Sequence, residues 1–342
     1  MMQDIILTCE VLTPMFLGGA DAREPELRAP SIKGVLRFWW RALHGFDPLL
    51  KTKEGSIFGS AGEHAQKSRI TLRIEGEDLT PYITKEPLPR HTYQVKGHEL
   101  NILEYLAYGT YIYNRMQRRN EFYRAYIKPG YSFNLIVKTD NEVDLLEFFL
   151  ALQYFCWFGS LGAKARNGFG SFKVKNVKGH LPAGEKIDLT SLPGASSLAS
   201  FKQYTGIPKF SAFSHGARLF RTRQDHSTWD TCLAELGHAY RHARLSLEPP
   251  HSYKRRQYIG APLIVNQKQQ SRLARHAKPY FLRVHEWQGR YTGYILYLPS
   301  RYCTGLAGEI PGNLNLEKED AVFSTACQEM NKALGRYLEV ID

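Results

Sequence analysis

Gly159-Ser160-Leu161-Gly162-Ala163-Lys164-Ala165-Arg166-Asn167-Gly168-Phe169-Gly170-Ser171 sets four glycines within twelve residues and places two cations among them. Glycine admits positive φ and close backbone approach, so such a run is a turn with a purpose or a slack connection. Upstream, Val143, Leu146, Phe149, Leu150 and Tyr154 recur at helical spacing and predict a helix capped by Asn141 or Asp144 and running through Cys156. Downstream, Phe172 to Val177 reads as a strand. The turn therefore follows a helix and precedes a strand. It lacks the GxxxxGK-Ser/Thr spacing of a P-loop, and its glycines do not open a helix as a dinucleotide turn requires. Its backbone N–H groups with Lys164 and Arg166 suit a phosphodiester; the plainer reading is a flexible link.

Working outward, Ile5 to Val11 predicts a first strand, and Ala29-Pro30-Ser31 predicts a helix start with Ser31 as N-cap, the helix reaching about His44. A strand at Arg69 to Glu75 follows, then prolines at 81, 87 and 89, then a helical, aromatic-rich insert from about His98 to Tyr126, then a strand from Tyr131 to Thr139. Strand, helix, strand, strand, helix, strand is the split βαβ order of the ferredoxin-like motif. Gly179 to Ser200, rich in Pro, Gly and Ser, reads as an interdomain link. Beyond it, Gly216 to Thr222 predicts a strand and Thr228 to Ser246 a helix. Tyr280 to Trp287 and Tyr291 to Leu298 predict a hairpin around Gln288-Gly289, and Lys318 to Leu338 a closing helix. The expectation is an α+β chain of two ferredoxin-like (split βαβ, RRM-like) domains in tandem, residues 1–195 and 196–342, with helical and loop insertions.

Lys and Arg outnumber Asp and Glu by 45 to 33, a net +12 that suits a polyanionic partner. With 43% apolar and 23% charged residues the 342-residue chain can bury two cores and fits neither a membrane nor a disordered class. Cys9, Cys156, Cys232, Cys303 and Cys327 are odd in number and widely spaced, so neither a disulfide framework nor a CxxC knuckle is available. With Asp4 where a signal peptide would be basic, a cytoplasmic protein is expected.

On the helix from Ser31 to Gly45, Ile32, Val35, Leu36, Trp39 and Leu43 form one apolar face, and Trp39 and Trp40 are expected in the core. Lys33, Arg37 and Arg41 fall at steps of four along another stripe, where each like-charge neighbour costs about 0.2–0.5 kcal/mol. No acid lies within the helix. Either acids from elsewhere, such as Glu24 and Glu26, pair with the stripe, or an anion does, with guanidiniums forked onto phosphates near a positive helix start.

Two stretches, Leu12 to Leu43 with Ile57 to Ser60, and Leu161 to Phe172, resemble the RAMP proteins of CRISPR systems and, within them, the subunit-one family of type III-B Cmr effector complexes. Lys164 and Asn167 stand where that family usually carries arginine, and Ala165 replaces a small polar residue. The resemblance implies a non-catalytic RNA-binding subunit in antiviral defence, made of two ferredoxin-like domains and assembled with other Cmr subunits. It also implies binding near the 3′ region of a guide RNA and its target RNA; separately, no cofactor, metal or membrane contact is expected. The alternative is a metal-independent endoribonuclease that processes guide RNA.

The C-terminal half contributes charge. From Pro249 to His285 there is no Asp or Glu, yet Lys254, Arg255, Arg256, Lys268, Arg272, Arg275, Lys278 and Arg283 all fall there. Asn266 to Ser271 reads as a mobile loop that RNA would order, or as a plain disordered one. In the insert, Tyr111, Tyr113, Arg115, Arg118, Arg119, Phe122, Tyr123, Arg124 and Tyr126 interleave rings and cations as single-strand binders do, though a helix burying its tyrosines fits equally. The candidate RNA contacts are Lys33, Arg37, Arg41, Gly162, Lys164, Arg166, Gly168, Gly170, Lys254, Arg255 and Arg256. His44 is a candidate general base at the helix end, against the commoner solvated histidine. His238 and His242 have a zinc-pair spacing, but Ala239 stands where the HExxH glutamate belongs, so no metal is expected.

Overall fold

The computed structural model describes residues 3–19, 21, 24–63, 65–95, 97–140, 145–179, 181, 187–249, 252–261, 263–265, 268–302 and 315–341. In β1 (Gln3–Val11) the alternate residues Ile5, Leu7, Cys9 and Val11 are buried, as period-2 patterning requires. α1 (Ala29–Leu43) begins two residues before the expected cap: Arg28 is the N-cap and Ser31 lies in the first turn, its N–H donating to the Arg28 carbonyl. Pro30 explains the shift, because an opening turn has no use for that N–H. α2 (Leu50–Phe58), which the sequence reading left out, follows, then β2 (Ile70–Gly76).

The insert differs from the helix expected of it. It holds β3 (Ile83–Thr84), a hairpin of β4 (Thr92–Val95) and β5 (His98–Asn101), the five-residue α3 (Ile102–Leu106), a second hairpin of β6 (Tyr111–Asn114) and β7 (Arg119–Phe122), and β8 (Tyr126–Ile127), which pairs with β3. The Asn114 carboxamide accepts the N–H groups of Met116 and Gln117, and Arg118 sits at φ 51°, so the chain reverses there. Tyr111 and Phe122 then face each other with ring centroids 5.5 Å apart.

β9 (Ser132–Thr139), α4 (Leu145–Phe158) and β10 (Phe172–Lys178) complete the first half; the expected caps Asn141 and Asp144 lie outside the described residues. The antiparallel sheet runs β10-β1-β9-β2, so its strands stand in the order fourth, first, third, second. α4 buries nearly its whole surface, because α1 and the sheet lie on one side and the chain after residue 187 straps the other. Tyr154 donates its hydroxyl to the Ser197 carbonyl at 2.6 Å and Trp157 its indole N–H to Ser191 at 3.0 Å. The described part of the expected link is thus packed chain, with Leu189, Leu198 and Phe201 in the core, and a 3₁₀ turn starts at Ala195.

The second half contains β11 (Arg218–Arg221), α5 (Trp229–Leu245), the short pair β12 (Ile264–Val265) and β13 (Lys268–Gln269), the hairpin β14 (Tyr280–Trp287) and β15 (Arg290–Tyr297), α6 (Leu316–Tyr337) and β16 (Glu339–Val340). Gln288 and Gly289 at φ 51° and 78° supply the tight turn between β14 and β15. This sheet runs β14-β15-β11-β16, which read from the β16 edge is the same fourth-first-third-second order among its four strands. A second core forms under it and takes in Ile102, Leu103 and Leu106 of α3, so the insert of the first half is part of the packing of the second.

Candidate nucleic-acid interface

α1 buries Ile32, Leu36, Trp39, Trp40 and Ala42 and leaves Lys33, Arg37 and Arg41 on its outer stripe. Among the described residues the stripe has one carboxylate. Arg37 Nε donates to Glu54 Oε1 at 2.6 Å and Arg41 Nη1 to the same oxygen at 3.2 Å. Glu54 comes from α2 and is nearly buried, whereas the two arginine side chains remain 36% and 40% exposed. The expected acids Glu24 and Glu26 do not reach the stripe, since Glu26 pairs with Arg28 at 3.5 Å and neither is found against the three cations. One negative charge among three positive ones leaves a net +2 on an accessible face. Burial and then the neighbouring Arg37 hold the Lys33 ammonium below its ordinary value. The acid was legible: Leu50, Glu54, Ile57 and Phe58 recur at helical spacing, which places Glu54 on the inner face of α2.

The glycine-rich turn is spent inside the protein. A Cβ on Gly162 would lie 2.5 Å from the Phe16 carbonyl, one on Gly168 2.4 Å from Leu233, and one on Gly170 1.9 Å from the Leu161 carbonyl, and all three have positive φ. Its N–H groups donate inward: Ala163 to Phe16, Gly170 to Pro14, Asn167 to Lys164. Arg166 lies over the rings of Phe281 (4.4 Å) and Phe38 (5.5 Å) and donates to the Lys278 carbonyl, and burial lowers its pKa to about 10. This corrects the expectation of an outward phosphate cradle: Gly162 and Gly170 pack against the first half's own backbone, and Gly168 and Arg166 reach the second half. Lys164 alone of the group turns its ammonium toward a cavity, at φ 62° and with its pKa lowered by burial and then by Arg124.

The acid-free stretch is likewise not short of acids in space. Arg255 pairs with Glu329 at 2.8 Å, Arg256 with the buried Glu248 at 3.1 Å, and Arg272 with Glu319. Arg283 is buried and donates to the carbonyls of Cys156 (3.0 Å) and Phe172 and to the Ser160 hydroxyl (3.3 Å). Arg255 and Arg256 are therefore corrected from free cations to paired ones, the partners arriving from α6 and from the chain just beyond α5. Lys254, Lys268 and Arg275 are exposed. Asn266 and Gln267 of the expected mobile loop lie outside the described residues, while Lys268 and Gln269 form β13.

His44 stacks on Trp40 at 4.4 Å and faces Glu147 at 3.7 Å. His238 and His242 lie with ring centroids 6.2 Å apart, both lowered in pKa chiefly by burial. Among the described residues no group of three or more His, Cys, Asp or Glu side chains could hold a metal ion, and no helix is long and apolar enough to cross a membrane. The hairpin β6–β7 raises Ile112, Tyr113 and Met116 into solvent beside Arg115, Arg118 and Arg119. Sequence reasoning missed a second place altogether. A cavity of about 770 Å³ lies between the halves, walled by tyrosines and by Lys164, Arg244 and Lys278.

The sequence profile of the RAMP superfamily matches residues 8–173. A Pyrococcus furiosus protein described as CRISPR system Cmr subunit Cmr1-2 is 31% identical over 196 residues, which span 52% of this chain and 98% of that protein. Its companion Cmr1-1 is 30% identical over 155 residues, spanning 44% of this chain and 41% of that protein. Among solved structures, apo Cmr1 from Pyrococcus furiosus superposes with a TM-score of 0.57 at 18% identity, covering 98% of this chain and 97% of that one. A chain of the type III-B Cmr-β complex bound to cognate target RNA superposes with a TM-score of 0.54 at 13% identity, covering 98% and 100%. These two likenesses carry the fold.

Proposed function

This chain belongs to the RAMP superfamily and, within it, to the Cmr1 subunits of CRISPR systems, and from that premise we propose that it is a non-catalytic RNA-binding subunit of a cytoplasmic type III-B effector complex. It grips guide RNA near the 3′ region, target RNA, or both, beside other Cmr subunits. Base pairing between the strands supplies sequence choice, and the protein holds phosphates. Each half reads as a ferredoxin-like unit, a reading supported by the shared fourth-first-third-second strand order.

The observation that carries the RNA reading is the α1 stripe, where Lys33, Arg37 and Arg41 face solvent against, among the described residues, the single carboxylate of Glu54. Lys164 and Lys254 extend the same proposal as further phosphate contacts; the glycines, Arg166, Arg255 and Arg256 contribute by shaping the surface that carries them.

Filter binding of single-stranded RNA across a salt series tests it. If Arg37 and Arg41 each neutralise one phosphate, replacing both with Gln lowers the slope of log K against log[salt] by about 1.4, or roughly 25-fold in affinity near 0.1 M salt. An unchanged slope and affinity would remove the stripe from the interface.

A further inference from the structure

The α1 stripe runs on into a pair of rings. One more step of four from Arg41 reaches Gly45, just past the His44 C-cap, and Phe46 follows. The chain from Phe201 to Phe213 presses against this end of the helix. A Cβ on Gly45 would lie 2.3 Å from the Ala212 Cβ, and the Phe213 N–H donates to the Ala42 carbonyl at 2.9 Å. Tyr204 is thereby laid on Phe46, with ring centroids 5.1 Å apart and planes 5° from parallel. The backbone fixes Tyr204 on both sides, its N–H donating to the Phe201 carbonyl at 3.1 Å and its carbonyl accepting from His215 at 2.8 Å. Gly206 lets the loop close over the rim of Phe46, since a Cβ there would lie 3.2 Å from Cε1.

Phe46 covers one face of the Tyr204 ring, so the 37% of Tyr204 that is open to solvent includes the opposite face. Leu49 and Ile207, both exposed, stand three residues along the chain from Phe46 and Tyr204 and give the pair an apolar margin. Charge around it is positive. Lys202 and Lys209 bracket the loop, and no Asp or Glu lies between Asp188 and Asp225. Asp47, the acid next to Phe46 in the chain, is engaged: Lys53 donates to it at 2.6 Å and the Leu49 N–H at 2.8 Å. The carbonyl end of α1 carries partial negative charge, which disfavours a phosphate there and leaves the place to an uncharged group. A flat ring with a free face at the end of a row of cations is how single-strand binders are built, with charge tracking the backbone and rings taking the bases. Continuity with the stripe favours a polyanion over a protein neighbour as the occupant.

We infer that Tyr204, held flat on Phe46, is a base-stacking platform at the end of the α1 stripe. Lys33, Arg37 and Arg41 track the phosphates of one RNA strand, and an unpaired base of that strand lies on the free face of Tyr204. This rests on the RNA-binding reading and narrows it, because a base inside a duplex is already stacked on both faces. The surface therefore takes a single-stranded stretch and not the paired guide and target.

Filter binding of the full chain tests it, with an RNA decamer offered single-stranded and annealed to its complement across a salt series. Tyr204→Ala is expected to weaken the single strand about tenfold and to leave the duplex unaffected. The salt slope should stay as it is, since no phosphate contact is lost. Tyr204→Phe keeps the platform and should bind as the native chain does. Tyr204→Leu keeps an apolar cover on Phe46 without a π-face and should lose as much as Tyr204→Ala, which sets stacking apart from local packing. Among decamers carrying 2-aminopurine at successive positions, the native chain and Tyr204→Phe should quench the fluorescence of one, and Tyr204→Ala should not. Native single-strand affinity in both Tyr204→Ala and Tyr204→Leu would overturn the inference and assign the patch to a protein neighbour. Equal losses for strand and duplex would overturn it as well. The double Gln variant at Arg37 and Arg41 separates this inference from the reading beneath it. If that variant loses slope and affinity while the Tyr204 variants bind normally, the platform alone fails; if it loses neither, the RNA reading of the stripe fails.

Discussion

Replacing Glu54 with Gln should make the protein less stable and a better RNA binder. The carboxylate accepts from Arg37 and Arg41 on one oxygen, so its loss removes two ion pairs at once. Both arginines are more than a third exposed, which limits each pair to about 0.2–1 kcal/mol. The glutamine oxygen still accepts, so the net cost is about 1 kcal/mol, a fall in Tm of roughly 2–4 °C. On the RNA side, the substitution raises the stripe's net charge by one and frees two guanidiniums to turn outward. One additional phosphate contact steepens the salt slope by about 0.7 and tightens binding about fivefold near 0.1 M salt. Thermal melts and a salt series of filter-binding titrations read the two effects on one preparation. If Glu54→Gln lowers Tm but leaves both affinity and slope unchanged, the stripe lies off the RNA path and the reasoning fails.

Other substitutions probe the join between the halves. Arg283→Met leaves the Cys156 and Phe172 carbonyls unpaired in the interior and should cost about 2–5 kcal/mol, read as a lower urea midpoint; an unchanged midpoint would mean water replaces the guanidinium. Gly170→Ala sets a Cβ 1.9 Å from the Leu161 carbonyl at φ 71° and should cost more than about 2 kcal/mol by thermal melting, with full stability retained refuting the close approach. For Glu248, burial would raise the pKa, but the N–H groups of Arg255 and Arg256 and the Arg256 guanidinium outweigh it and hold it low. A depressed folded pKa stabilises above the unfolded value near 4.3 and is lost as pH falls through the folded one. Tm of the native chain should therefore fall below about pH 4 by more than that of Glu248→Gln, and parallel curves would contradict the linkage.

The strands and helices of both sheets, the two-residue β16 excepted, were legible because Ile5, Leu7 and Cys9 alternate, and because Ile32, Leu36 and Trp39 recur at helical spacing. The order of elements followed from them. The insert was misread because Tyr111, Arg115, Arg118 and Phe122 mimic helical spacing, whereas the local turn at Asn114 and Arg118 decides for a hairpin. The candidate cations were found by type, but their partners were invisible: Glu329 lies 74 residues from Arg255 and Glu319 lies 47 from Arg272. Absence of acid in a stretch of sequence says nothing about acids that the fold carries to it. The cavity was illegible for the same reason, since Lys164, Arg244 and Lys278 come from three separated segments.

The glycine-rich turn behaves like a dowel driven through two boards. With Gly168 against Leu233, Asn167 bridged to Leu282 and Arg166 laid over Phe38 and Phe281, the gap it pins keeps one gauge. A guest entering that gap meets walls already set, so little ordering of the host is lost on its arrival. The same stiffness makes the gap a poor judge of oversized guests by yielding and a strict one by refusal.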